Sequence, residues 1–139
     1  MDDVEAIKQL KARYFRLIDT KDWAGLRDVF TDDVHVDVTE DGGGTYDGAD
    51  AFLAMLEPTL RDVVSVHHGH TPEIEVTSPT TAAGIWAMED VLQFDTKRGR
   101  SELHGWGHYH ETYERIDGAW RIRSLRLTRL RLDVTRGEG

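Results

Sequence analysis

The stretch GIWAMEDVLQF, residues 84–94, decides the fold. Its side chains sort with period two, Gly84, Trp86, Met88, Asp90, Leu92 and Phe94 on one face, and Ile85, Ala87, Glu89, Val91 and Gln93 on the other. That alternation predicts a β-strand over 82–94. Residues 74–76, 103–116 and 120–132 read the same way, joined by the turn-rich TSPTT, DTKRG and the hairpin signal Ile116-Asp117-Gly118. Upstream the period changes. Val4, Ile7, Leu10, Tyr14, Leu17 and Ile18 recur at steps of three and four, predicting an amphipathic helix that ends near Asp19. Trp23, Leu26, Val29 and Phe30 continue at helical spacing behind Thr20 or Asp22 as cap. VHVDV, residues 34–38, alternates as a short strand, and 49–60 predicts a third helix stopped at or near Pro58. EDGGGTYDG, residues 40–48, holds too much glycine for regular structure and is expected to be a mobile loop, its Gly42–Gly44 either a flap near a cavity mouth or a disordered surface loop. Helices first and long strands after imply an α+β fold, a curved antiparallel sheet wrapped on helices.

A chain of 139 residues with 39% hydrophobic content fits one domain over 1–139, large enough to enclose a small-molecule cavity. A net charge of −9 repels phosphate backbones and anionic membrane surfaces, so neither nucleic acid nor membrane is expected as a partner. With no cysteine, disulfides and thiolate chemistry are excluded. The acidic start MDDVEAIKQL is unlike a signal peptide, and no apolar run is long enough to span a bilayer, so a cytoplasmic protein is expected.

Asp90 shares its strand face with a tryptophan, aliphatic side chains and a phenylalanine. A carboxylate in that company must find partners or bind a proton, which makes it a functional candidate; a bulge that turns it to water is the alternative. On ELHGWGHYHETYERI, residues 102–116, His104, Trp106, His108 and His110 fall on one face, and Gly105, Gly107, Tyr109 and Tyr113 on the other. Small residues beside tyrosines suit a cavity wall, whereas histidines with tryptophan suit an outer face or a subunit contact. The arginine-dense WRIRSLRLTRLRLDV, residues 120–134, slips its period at Ser124-Leu125, predicting a bulge there, after which Leu125, Leu127 and Arg129 share a face. VHHGHTPEIEV, residues 66–76, holds three histidines within four positions. In an extended chain His67 points opposite to Val66 and His68, so the three rings do not converge, and a metal site is not expected. His67 alone is either a proton-transfer group or a hydrogen-bonded core histidine.

EAIKQLKARYFRLIDTKDW, HHGHTPEIEV, TTAAGIWAMEDVLQF and YERIDGAW together resemble the SnoaL-like branch of the nuclear-transport-factor-2-like superfamily, and within it the bile acid 7α-dehydratase group, with the scytalone dehydratases more distant. That resemblance implies a cone-shaped barrel of N-terminal helices packed into a strongly curved sheet. It implies catalytic roles for Tyr14, Asp19, His67, Asp90 and Arg129, the five residue types of the bile acid dehydratase pocket at matching positions. Val38 departs from the pattern, standing where those relatives carry a second tyrosine.

Water loss β to a carbonyl needs a base for the α-proton, an electrophile for the enolate oxygen and an acid for the departing hydroxide. His67 oriented by Asp19 suits the base, Tyr14 a hydrogen-bond donor, Asp90 a proton holder or relay, and Arg129 an anchor for a polar end of the substrate. Phe52, Met55, Leu56, Trp86, Met88, Leu92, Gly107 and Tyr109 are expected to wall a hydrophobic pocket for a polycyclic, steroid-like or terpenoid-like substrate. No cofactor is required by such proton transfers. An isomerase or cyclase using Asp90 or Asp19 as base, and a non-catalytic binding domain, are the alternatives. The resemblance also implies a homo-oligomer, dimer or trimer, and the His104–His110 face is where the contact is expected.

Overall fold

The computed structural model describes residues 1–137. Helix α1 (Asp3–Asp19) is capped by Asp2, whose carboxylate accepts from the Glu5 amide at 2.8 Å. Its buried stripe is Ile7, Leu10, Lys11, Tyr14, Leu17 and Ile18. Each large apolar side chain in it contributes about 1.5–3 kcal/mol by leaving water. Helix α2 (Trp23–Arg27) is capped by Asp22, one of the two expected caps, and is shorter than its apolar spacing predicts. The chain turns out of the helix through Asp28 and Val29, and the Val29 carbonyl accepts from the Ile122 amide at 2.9 Å. Phe30 therefore opens strand β1 (Phe30–Asp37) rather than closing a helix.

The 40–48 segment, expected as a loop, is folded. A 3-10 turn (Thr39–Asp41) leads through Gly42 and Gly44, at φ of 81° and 82°, into strand β2 (Thr45–Asp47), which pairs with His35–Asp37. Those two glycines supply the left-handed conformations that let so short a segment reverse. Helix α3 (Ala49–Leu60) continues past Pro58, because a proline in the last turn removes only one helical hydrogen bond.

Strands β3 (Val64–Val76), β4 (Thr81–Thr96), β5 (Gly99–Ile116) and β6 (Ala119–Thr135) form the main sheet, in the order β2-β1-β6-β5-β4-β3. All neighbours are antiparallel except β1 and β6, which run parallel, so the sheet is mixed rather than purely antiparallel. Strand β3 starts ten residues before the expected Ile74, and the histidine triplet lies within it; full-length pairing with β4 outweighs its polar composition. The Asp117-Gly118 turn, at φ of 52° and 82°, joins β5 to β6 as the hairpin signal predicts. Strand β6 bulges twice against β5, at Arg123, one residue from the expected slip, and at Leu130. The helices pack on the concave face, where Phe30, Val34, Val36, Trp86, Met88, Tyr109, Tyr113, Ile122 and Leu125 meet α1 and α3. No helix among the described residues is long and apolar enough to cross a membrane.

Candidate active site

The C-terminal end of α1, the start of β3 and the middle of β4 bring Asp19, His67 and Asp90 together. Asp19 is the last residue of α1, and its carboxylate projects onto β3. There Oδ2 accepts the His67 amide at 2.8 Å, and Oδ1 lies 2.7 Å from His67 Nδ1. Ser65 donates to Asp19 Oδ1 at 3.0 Å and accepts from Lys21 Nζ at 2.7 Å. Because a carboxylate only accepts, Nδ1 carries the hydrogen, and the neutral ring keeps its lone pair on Nε2. Nε2 lies 4.0 Å from Asp90 Oδ2, which faces it from the neighbouring strand at the paired position His67↔Asp90. His68 and His70 are exposed, so the triplet separates as its alternation requires.

Asp90 is 3% exposed and does not turn to water. Arg129 donates to both its oxygens, Nη1 to Oδ1 at 2.7 Å and Nη2 to Oδ2 at 3.0 Å. Arg129 Nη2 and Nε also donate to Asp41 Oδ1 at 2.8 and 3.3 Å, and Nη1 meets the Met88 sulfur at 3.6 Å. All five guanidinium hydrogens are thereby engaged with protein atoms. Burial lowers the Arg129 pKa, but the hydrogen bonds it donates to Asp90 and then to Asp41 outweigh this and hold the group firmly charged. The expected anchoring of a polar substrate end by Arg129 has no unused donor here; the arginine holds Asp90 and Asp41.

These groups open on a cavity of about 240 Å³ lined by Tyr14, His67, Asp90 and Tyr109 with an apolar wall. Of the expected wall residues, Phe52, Met55, Leu56, Leu92 and Tyr109 line it. Trp86, Met88 and Gly107 do not. Trp86 is drawn to the far side of the core, where its indole donates to the Tyr113 hydroxyl at 3.0 Å. Met88 packs under Arg129, and Gly107 is backed by the β6 chain, whose Thr128 carbonyl would lie 1.9 Å from any Cβ placed there. The Tyr14 and Tyr109 rings meet edge to face, 5.9 Å between centroids. Burial raises the pKa of both phenols, so they remain protonated hydrogen-bond donors. A larger depression of about 390 Å³ lies on the other side of the sheet between His35, Ile85, His110 and Arg126, with Glu111 but neither His67 nor Asp90 in its lining.

Two elements of the site escape the sequence reading. Asp41 lies in the glycine-rich segment, where no periodicity flags it. Lys11 sits behind the cavity with no exposed surface, paired with buried Glu111 and 3.7 Å from the centroids of both the Tyr14 and Tyr109 rings. A lysine on the apolar stripe between Leu10 and Tyr14, and Glu111 on the Gly105–Tyr113 face, are the signals that could have paired them.

Residues 1–126 match the SnoaL-like domain family. The chain is 25% identical over 135 residues to a probable cyclase from Gibberella zeae, with 89% of each chain covered. Among solved structures it is similar to a scytalone dehydratase-like protein from Novosphingobium aromaticivorans, at 21% identity and TM-score 0.83, covering 99% of this chain and 91% of that one. A hexachlorocyclohexane dehydrochlorinase from Novosphingobium barchaimii superposes with TM-score 0.80 at 22% identity, covering 96% and 90%. These two likenesses establish the cone-shaped fold.

Proposed function

The chain belongs to the SnoaL-like domain family, and from that membership and the chemistry of its cavity we propose a cofactor-independent lyase that removes water from a compact, hydrophobic hydroxy-carbonyl compound. The observation that carries the reading is the Asp19–His67 contact of 2.7 Å at Nδ1, which leaves Nε2 as the basic nitrogen of a cavity-lining ring. Nε2 takes the proton from the carbon next to the carbonyl, and the electron pair moves onto the carbonyl oxygen. Tyr14 or Tyr109 donates a hydrogen bond to that developing enolate. The enolate collapses, the carbon–oxygen bond at the β position breaks, and the imidazolium returns its proton to the departing hydroxide as water. Asp19 at 2.7 Å and Asp90 at 4.0 Å stabilise the imidazolium between the two transfers.

Val38 lines the cavity without a hydroxyl, and Tyr109 on β5 supplies the second phenol instead. The cavity lies below the ~300–1,000 Å³ usual for small-molecule sites. It suits a compact ring system. The 25% identity to a probable cyclase favours one alternative, in which the same enolate closes a ring and mass is conserved. A homo-oligomer through the outer sheet face is part of this reading, with Trp106 stacked on His104 at 4.0 Å as its centre.

Mass spectrometry of the protein incubated with β-hydroxy ketones, 3-oxo-4-ene steroid alcohols and terpenoid alcohols tests the reaction. Loss of one water from a compound with wild type and not with His67→Ala supports the lyase. Conversion without mass change supports a cyclase or an isomerase, and equal water loss in both proteins rules His67 out of the chemistry.

A further inference from the structure

The cavity has an uneven charge balance. Asp41 and Asp90 line it, with Asp19 behind His67, against Arg129 and, through Ser65, Lys21. Arg129 is the group that would otherwise receive a substrate carboxylate, since its planar fork matches two carboxylate oxygens. It is not available. Asp41 lines the cavity, while the Arg129 side chain is only 7% exposed and lies behind it. Asp41 Oδ1 takes both Nη2 and Nε, and the neighbouring Glu40 accepts the Arg129 amide at 3.2 Å. The segment carrying both acids is fixed at its base, where the Val38 carbonyl accepts the amides of Asp41 and Gly43 at 3.0 Å each.

We propose that Asp41 determines specificity by charge, occupying the cavity side of Arg129 so that the site takes uncharged ring compounds and rejects their carboxylates. A carboxylate entering this cavity must displace Asp41 from a buried guanidinium or sit unpaired beside Asp41 and Asp90. Either route costs more than transferring a neutral alcohol of the same shape. Asp41 is a positioning and exclusion residue and touches no reacting atom. The inference rests on the reading of this cavity as the substrate site, but not on the reaction run there.

The test is a binding comparison with a matched pair, 2-naphthalenemethanol and 2-naphthoate, titrated calorimetrically into wild type, Asp41→Ala and Asp41→Glu. Wild type is expected to bind the alcohol at least about tenfold more tightly than the carboxylate. Asp41→Ala is expected to raise carboxylate affinity about tenfold or more while changing alcohol affinity little, and Asp41→Glu to return the wild-type preference. Equal affinity of wild type for both compounds overturns the proposal, as does unchanged carboxylate affinity in Asp41→Ala. Loss of the preference in Asp41→Glu as well as in Asp41→Ala also overturns it, since a merely structural contact would fail in both. Water-elimination activity in these variants bears on the lyase reading alone, so the two can fail separately.

Discussion

Asp19 does two jobs with its two oxygens. Oδ2 fixes the β3 backbone at His67, and Oδ1 fixes the imidazole hydrogen on Nδ1. Asp19→Asn can keep the first contact, but its amide can present either a donor or an acceptor to Nδ1, so the ring loses its assigned tautomer and the imidazolium its partner charge. Turnover is expected to fall by about 10²–10⁴-fold, mostly in kcat, with the unfolding midpoint nearly unchanged. Steady-state kinetics alongside thermal unfolding check this, and a loss under threefold would remove Asp19 from the proton-transfer unit. The buried phenols make a second prediction at this scale. Burial raises the pKa of Tyr14, Tyr109 and Tyr113 in the folded protein above the ~10 of an unfolded chain. Above pH ~10 the unfolded state therefore binds fewer protons than the native one, and their contribution to stability is lost as pH rises. Near-UV absorbance titration should show these three ionising only with unfolding; a reversible titration of all tyrosines in the folded protein near pH 10 would contradict it.

Between α1 and β5 runs the buried pair Lys11–Glu111, continued by the Tyr113 hydroxyl donating to Glu111 at 2.7 Å and Trp86 to Tyr113. Burial depresses the Lys11 pKa to about 8, against the raising effect of Glu111. Lys11→Met strands a buried carboxylate and is expected to cost about 3–5 kcal/mol, while Lys11→Met with Glu111→Leu recovers much of it. Urea unfolding of both variants checks this, and equal losses would mean that the pair contributes packing only. The pair also marks where the sequence stops being legible. The helical stripe of α1 and the alternation of β4, β5 and β6 follow from residue period, and Asp90 is flagged by its apolar neighbours alone. The length of β3 does not follow, because its polar, histidine-rich first half gains its structure from pairing with β4. Nor does β2, whose three residues are ordered by β1 and by the two glycines before them. Trp86 and Met88 share a face with Asp90, yet only Leu92 beyond it reaches the cavity. Alternation assigns a face, but where a cavity opens on that face depends on how the helices cover it.

At the scale of the molecule, the curved sheet and the helices place the dyad, Asp90 and two phenols at one cavity, with the 38–44 segment tied to Arg129 at its edge. The central claim is that His67 Nε2 removes a proton from carbon. Exchange of the α-protons of a bicyclic ketone, 1-tetralone, with deuterated water measures that step without requiring the natural substrate or a leaving group. The account predicts exchange accelerated by wild type above the solvent rate, slowed at least about 10²-fold in His67→Ala and intermediate in Asp19→Asn, with folding intact in each. Equal acceleration by wild type and His67→Ala would contradict it and transfer the role of base to another group in the cavity.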